Sequence, residues 1–436
     1  MQNHFTQIGA QMNILVIGSG GREHAIIAKL KENKKVNTIY ALPGNAGIAQ
    51  MAECVGIAAT DIAAIVNWAE QNKPDFAVVT PDDPLALGCV DALEAIGIPC
   101  FGPTAKAAQI EASKVFAKDL MKKYGIPTAA YEVFESFQSA KEYLQSGISY
   151  PTVIKADGLA LGKGVTIAAN REQALQALED AMQTKVFGES GSRVVIEEYL
   201  EGPEVSVLAF TDSKTVVPMV SSMDHKRALD NDEGLNTGGM GTVAPNPYYT
   251  AAVANRCMEE IFLPTINAMN REGRPFKGCL YFGLMLTEKG PKVIEYNCRF
   301  GDPETQVVLP LLQSDLLEIM MAVREERLAE ADVRFADKCA CCVIKASQGY
   351  PQKYQSGFPI EIGTLPADCA IFFAGVKTDA SGRLCTGGGR VLGVSAVAPS
   401  AKEAVALAYK GAECVHFENE FMRKDIGSKA LKALEK

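Results

Sequence analysis

The sequence predicts a multidomain protein of mixed α/β and α+β class. It reads as a doubly wound parallel α/β domain at the N terminus, a two-lobed middle and a small α+β domain at the C terminus. Three observations point there. A chain of 436 residues exceeds what one hydrophobic core normally supports. From Asn13 to Phe101, short apolar runs alternate with helical patterns, as parallel strands joined by crossover helices do. From Cys339 onward, short strands and loops dominate until one closing helix, Ala401 to Cys414.

Composition narrows the function. Apolar residues at 47% and charged residues at 22% describe an ordinary soluble globular chain. The net charge of −9 argues against nucleic acid as the main partner, while leaving room for a local basic pocket that holds a phosphate ester. No basic-then-apolar segment opens the chain and no apolar run spans a bilayer, so no membrane association and a reducing cytoplasm are expected. Residues 1–11 read as a disordered extension. The histidines are not spaced as zinc ligands, and Cys339, Cys341 and Cys342 read as small apolar residues of a buried strand.

The first unit, residues 12–113, opens with the apolar run Ile14 to Ile17, the turn Gly18-Ser-Gly20-Gly21-Arg22-Glu23-His24 and a helical pattern from Ala25 to Leu30. Backbone N–H groups at such a helix start form an anion site. It is not a dinucleotide fingerprint, because the third glycine falls on Glu23 and the next strand, Thr38 to Leu42, ends in Pro43 rather than a ribose-binding acid. Two more units follow: Phe76 to Val79 with Thr80-Pro-Asp82-Asp-Pro84, and Ile98 to Phe101 with Gly102-Pro103.

The middle segment, residues 114–338, includes a small lobe at about 132–204. It starts on an amphipathic helix, Ser113 to Tyr124, carrying Lys114 and Lys118. Pro151 to Lys155 reads as a strand entering Ala156-Asp-Gly158-Leu-Ala-Leu-Gly162-Lys163-Gly164. Glycines let a backbone approach phosphate oxygens and lysines supply point charges, so this reads as a mobile phosphate-covering loop. It is not a P-loop, since Lys163 is followed by Gly164 and not by Ser or Thr. Arg193 to Ile196 is a strand, and Glu197-Glu-Tyr199-Leu-Glu-Gly-Pro-Glu204 reads as a hinge whose acids would be surface charges. The basic cluster Asp224-His-Lys226-Arg227 precedes Asn236-Thr-Gly-Gly-Met-Gly241, a pairing suited to an anionic substrate or a transferring phosphoryl group. Phe276 to Leu286 reads as a strand pair that offers no carboxylate ligand.

Val293 to Asn297 alternates as a strand, with Ile294 and Tyr296 on one face and Glu295 and Asn297 on the other. Two hard oxygen donors on one face suit Mg²⁺. A turn holding Arg299, Asp302 and Glu304 follows.

The run Asn297-Cys-Arg-Phe-Gly-Asp-Pro-Glu-Thr-Gln306 resembles a signature of the glycinamide ribonucleotide synthetase (phosphoribosylamine–glycine ligase) family of ATP-grasp enzymes. Gly18-x-Gly-Gly-Arg-Glu-His24, Pro43-Gly-Asn45-Ala-Gly47, Asp224-His-Lys-Arg227 and Asn236 to Gly241 resemble the same family. Gly349-Tyr-Pro351, Gly387-Gly-Gly-Arg390 and Arg423-Lys-Asp-Ile-Gly427 do so too, and the resemblance covers nearly residues 13 to 427. The chain departs from the family at Thr80-Pro-Asp82, usually Gly-Pro-Glu, and at Leu161, usually Ala.

The resemblance implies a two-lobed ATP-grasp core, with Glu295 and Asn297 holding Mg²⁺ or Mn²⁺. It implies ATP on Lys114, Lys155, Gly158, Gly162, Lys163, Gly164, Glu197, Tyr199 and Glu204. Gly20, Gly21, Arg22, Glu23, Asn45, Asp82, Asp302 and Glu304 would meet the other substrates, and Arg299, Asp224 and Lys226 would serve the chemistry. The implied reaction joins glycine to 5-phosphoribosylamine through a glycyl phosphate, releasing ADP and phosphate. A monomer is expected, with a homodimer as the alternative. The rival readings are another ATP-grasp enzyme acting on a purine-pathway or amino-acid carboxylate (such as a bicarbonate-activating carboxylase), a nicotinamide-dependent oxidoreductase and an inactive nucleotide sensor. The 297–306 and 224–227 runs oppose the first, Glu23 the second, and the retained Lys155, Glu295 and Asn297 the third.

Overall fold

A computed structural model describes residues 11–159 and 164–435. All of the expected extension except Gln11, and the tip of the glycine loop with Gly162 and Lys163, lie outside the described residues.

The N-terminal sheet is built from β1 (Met12–Gly18), β2 (Val36–Pro43), β3 (Glu53–Cys54), β4 (Phe76–Val79) and β5 (Cys100–Phe101). They run parallel in the order β3-β2-β1-β4-β5, with Ile14 to Ile17 buried on both faces as a helix-covered parallel sheet requires. Helices α1 (Gly21–Leu30), α2 (Ile62–Asn72), α3 (Asp82–Ala86), α4 (Cys89–Ala95) and α5 (Ala105–Ala112) connect the strands or follow the last one. The run read as a glycine turn is already helical from Gly21, because the Glu23 carboxylate accepts the Gly20 N–H at 2.5 Å and closes the first turn.

Helix α6 (Lys114–Tyr124), capped by the Ser113 hydroxyl, leads to the small lobe. There β6 (Tyr131–Phe134), β7 (Thr152–Ala156), β8 (Val165–Ala168) and β9 (Val194–Glu198) form an antiparallel sheet in the order β6-β9-β7-β8. Helices α7 (Phe137–Gln145) and α8 (Arg171–Met182) cover it. Ala140, Leu144, Ile154, Leu178, Val194 and Ile196 form its core, and every described member of that cluster lies between Phe134 and Ile196.

The next strands are β10 (Glu204–Asp212), β11 (Val216–Pro218), β12 (Met223–Asp224), β13 (Arg227–Leu229), β14 (Glu233–Asn236), β15 (Gly241–Ala244), β16 (Lys277–Thr287) and β17 (Gly290–Asn297). Four of them make an antiparallel sheet, β11-β10-β16-β17. The expected strand pair at 276–286 is the single strand β16. Its Gly283 is a close approach: a Cβ there would lie 3.0 Å from the Glu295 side chain. In β17 the simple alternation fails at Ile294, an extra residue between the Leu284–Val293 and Gly283–Glu295 pairs. Val293, not Ile294, is therefore buried with Tyr296, while Glu295 and Asn297 keep one face.

The C-terminal strands of the main sheet are β18 (Cys339–Ser347), β19 (Cys369–Phe373), β20 (Arg390–Ala398) and β21 (Glu420–Phe421), where β20 and β19 pair antiparallel. They share one sheet with the middle segment. β12 pairs with β15, β15 with β18, and β18 with both β20 and β21. Outside the small lobe the cores are common property. Leu15 and Ile17 pack in one cluster with Phe262, Phe282 and Tyr296, and Ile14 and Val16 in another with Val307, Leu317 and Ile344. All twelve cysteines are free, with Cys341 and Cys342 buried as expected. No described helix is long and apolar enough to cross a membrane.

Candidate active site

Helix α6, the small lobe and β17 meet around buried charges. Lys155, on β7, reaches the Glu197 carboxylate at 3.0 Å, and Lys118, on α6, reaches its other oxygen at 3.2 Å. Glu197 is therefore no surface acid, since both partners and the carboxylate itself are buried. Burial, opposed by Glu197, lowers the Lys118 ammonium to about 8. Lys155 also donates to the Ile294 carbonyl at 2.9 Å, and Ile294 is the bulge residue of β17. Lys114 donates to the Gly158 carbonyl at 2.8 Å, and burial lowers its pKa. Gly158 takes a φ of +105°, and a Cβ there would meet Ser190 at 2.8 Å. The Gly164 carbonyl closes the loop base by accepting from Ala156 N–H. Tyr199 is exposed and Glu204 opens β10, half-exposed, 4.0 Å from Lys226 Nζ.

Glu295 and Asn297 stand across from Gly283 and Tyr281 on one face of β17. Lys226 lies 3.4 Å from Glu295. Its charge, with those of Lys155 and Lys114 and against burial, holds the Glu295 carboxylate down to about 2. A permanently ionised carboxylate and an amide oxygen are the donor types a hard divalent cation takes, so the residues fit such an ion. Among the described residues no group of three His, Cys, Asp or Glu side chains stands ready to hold a metal, so ligand phosphates would have to complete the shell.

Arg299 shows what the sequence concealed. Its guanidinium pairs with Glu111 of α5 at 3.0 Å and donates to Asn297 Oδ1 at 3.2 Å and to the Phe300 carbonyl at 3.2 Å. Glu111 also accepts the Cys298 N–H at 2.7 Å. No spacing in the sequence marks Glu111, one acid in the helical stretch 105–112. Burial pushes its carboxyl up, while Arg299 pulls the other way. Asp82 lies in the fields of Arg299 and Arg22, which outweigh burial and lower its pKa.

The basic cluster 224–227 is divided. Of its basic side chains only Lys226 faces the site. His225 is buried, its Nε2 accepting the Gly427 N–H at 3.2 Å, so Nδ1 carries the proton shared with the Gly241 carbonyl. Burial, helped by Arg423, lowers its pKa to about 4. Arg227 turns back to the Gly234 carbonyl. Burial and the neighbouring Glu304 push the Asp224 carboxyl well above its usual range, and burial raises Glu304 as well. Beside them the hydroxyls of Ser206 and Tyr281, which sequence reading passed over, lie 2.7 Å apart.

Two expected substrate residues are used up internally. Glu23 accepts from the Gly20 N–H, Arg22 Nε and the Thr80 hydroxyl and is buried. Asn45 donates to the carbonyls of Ser19, Phe373 and Ala374 and accepts from Gly47 and Ile48, which satisfies its amide. Gly20 and Gly21 serve close approach: a Cβ would stand 3.3 Å from Asp302 Oδ2 at the first and 2.7 Å from Gln306 at the second. Arg22 donates to the Phe300 carbonyl at 3.1 Å, and Asp302 accepts from Gln306 at 2.7 Å.

Three family models match the chain in order: the phosphoribosylglycinamide synthetase N domain over residues 12–111, its ATP-grasp (A) domain over 112–305 and its C domain over 340–429. The phosphoribosylamine–glycine ligase of Caldanaerobacter subterraneus subsp. tengcongensis is 47% identical over 417 residues, covering 96% of this chain and 100% of that protein. The ligase of the same name from Halalkalibacterium halodurans is 47% identical, covering 96% and 97%. The crystal structure of the Thermotoga maritima phosphoribosylamine–glycine ligase superposes with a TM-score of 0.81 at 34% identity, over 95% of this chain and 100% of that one. A biotin carboxylase domain from Hydrogenobacter thermophilus shares the fold, with a TM-score of 0.73 at 19% identity over 94% and 92% of the two chains.

Proposed function

The chain belongs to the phosphoribosylglycinamide synthetase family, and from that premise we infer that it is an ATP-dependent, ADP-forming ligase of glycine and 5-phosphoribosylamine. It makes glycinamide ribonucleotide, a step of purine biosynthesis. Its site takes ATP together with a divalent metal ion.

A carboxylate does not condense with an amine at neutral pH, because its oxygen leaves poorly. The glycine carboxylate therefore takes the γ-phosphoryl group and ADP departs. The amine nitrogen then attacks the glycyl carbonyl, phosphate leaves, and the nitrogen gives up a proton. Lys114, Lys155 and the loop from Gly158 to Gly164, with Gly162 and Lys163, cover the phosphates and keep water from the acyl phosphate. Glu197, Tyr199 and Glu204 hold the nucleoside end. Lys226 and Arg299 face charge that develops on the transferring group. Asp224 and Glu304, both raised by burial, are carboxyls able to take or return a proton. Arg22, Asp82 and Asp302 serve the phosphoribosylamine side, with Gly20, Gly21, Glu23 and Asn45 shaping its wall. Glu295 and Asn297 would hold Mg²⁺, or Mn²⁺ in its place, which supplies positive charge to the nucleotide phosphates.

The observation that carries this reading is the Glu295 carboxylate, 3.4 Å from Lys226 and held ionised by the fields of Lys226, Lys155 and Lys114, on the same strand face as Asn297. The test is ADP and phosphate release from Mg·ATP with glycine and freshly made phosphoribosylamine, each omitted in turn. Release that requires both supports the reading, and ATP binding without release under any combination refutes the substrate pair.

A further inference from the structure

The motifs Gly349-Tyr-Pro351 and Gly387-Gly-Gly-Arg390 lie in the C-terminal segment, far along the chain from the nucleotide side. The fold brings one side chain from each onto the same two glycines. The Tyr350 hydroxyl accepts the Gly238 N–H at 3.1 Å. Arg390 Nη1 donates to the Gly238 carbonyl at 2.9 Å and lies 3.4 Å from that of Gly239. The same nitrogen donates to the Asp302 carbonyl at 2.8 Å, and Nη2 meets the Asp302 carboxylate at 3.2 Å. Both residues depend on glycines that admit them. A Cβ at Gly389 would stand 2.2 Å from the Tyr350 ring, and one at Gly238 would stand 2.9 Å from the guanidinium carbon.

Besides these contacts, the Gly238–Gly239 pair is held by the Gly239 N–H donating to the Thr237 hydroxyl at 3.0 Å. Consecutive glycines have the largest conformational freedom to lose, and neither has a side chain to pack. Yet their neighbours need a fixed place. Thr237 bonds the Lys226 carbonyl through both its N–H, at 2.8 Å, and its hydroxyl, at 2.9 Å. Gly239 lies so close to Asp224 that a Cβ would come within 2.8 Å of its carboxylate.

We propose that Tyr350 and Arg390 are positioning residues for the ligase reaction: they fix the Gly238–Gly239 peptide against the Asp302 turn and thereby place Lys226 and Asp224. This rests on the ligase reading above. Arg390 suits the task because a planar fork reaches a carbonyl pair and a carboxylate together, which a lysine ammonium cannot.

The test compares wild type, Tyr350→Phe and Arg390→Lys in the full chain, by hydrogen exchange and by steady-state kinetics. Amides of 236–241 should exchange about tenfold faster in both variants, while 194–198 stays unchanged. The kcat/KM for glycine and for phosphoribosylamine should fall about tenfold or more, with KM for ATP within about twofold of wild type. The Tm of Tyr350→Phe should stay within about 2 °C. Unchanged exchange at 236–241 overturns the proposal, as does faster exchange with wild-type kcat/KM. Uniformly faster exchange, with ATP binding and Tm lost together, overturns it in favour of a merely structural role. If wild type itself turns over neither substrate, the ligase reading falls, and the exchange at 236–241 still decides whether the clamp exists.

Discussion

Glu111→Gln tests the buried pair that the site is built on. The substitution keeps the shape and an oxygen able to accept the Cys298 N–H, but it removes the charge facing Arg299. Removing one partner of a buried pair costs about 3–5 kcal/mol, because the other charge is left uncompensated. Arg299 retains the Phe300 carbonyl, Asn297 Oδ1 and the field of Asp82, and its side chain is 18% exposed, so the lower end applies, about 3 kcal/mol. Urea unfolding followed by the fluorescence of Trp68, which sits 4.9 Å from the Tyr40 ring in the same N-terminal unit, reads that cost directly. Arg299→Met in the Glu111→Gln background should restore part of the stability, giving a coupling energy of about 1–2 kcal/mol. Activity should not return. Without Glu111 the guanidinium that orients Asn297 is loose, and supporting groups of this kind are worth about 10–100-fold in metal affinity or rate. Coupling below about 0.5 kcal/mol, or a Glu111→Gln enzyme with wild-type metal dependence, would refute the reasoning.

Three further outcomes are expected. Glu295→Gln should fold normally and need far more Mg²⁺ for turnover, because one ligand charge is gone; wild-type turnover at ordinary Mg²⁺ rules out its role. His225 refuses a proton down to about pH 4 in the folded chain but accepts one near 6.5 when unfolded, so between those values the unfolded state binds more protons and stability falls as pH drops. That loss is about 3 kcal/mol at most, and it should be missing from His225→Gln in unfolding titrations at pH 7 and 4.5; equal pH dependence in both proteins contradicts it. Gly239→Ala would put a Cβ 2.4 Å from the Pro303 ring at a φ of +117°, so it should cost about 2 kcal/mol or more and depress kcat, and a fully active, equally stable variant would show the loop has slack.

Much of the fold was legible because its signals are local. The apolar run Ile14–Ile17, the helix behind Ser113 and the strand through Lys155 each announce themselves within a dozen residues. So did Glu295 and Asn297, since the bulge at Ile294 falls before both and leaves their shared face intact. The missed features depend on distant partners. Glu111 matters because Cys298 and Arg299 come to it from 187 residues away or more. Glu23 and Asn45 have the chemistry of ligands, and Thr80 and the Phe373–Ala374 backbone, added to near neighbours such as Gly20, Arg22, Gly47 and Ile48, consume it. The run 276–286 reads as a strand pair and is one strand, whose Gly283 answers to the Glu295 side chain on the next strand.

The small lobe keeps its buried apolar side chains to itself, and this decides what its movement costs. Swinging it away from β17 exposes none of the other cores. It breaks polar ties, among them Lys155 to the Ile294 carbonyl, Lys118 to Glu197, Lys114 to the Gly158 carbonyl, Lys292 to Glu198, and the Asp157 carboxylate to the Val115 N–H. Each of these ties has a charged partner and is worth about 1.5–3 kcal/mol, so a swing of this visor costs polar contacts and not apolar burial. Evolution can then retune how readily the visor drops by exchanging single polar residues along its rim, with neither core asked to repack.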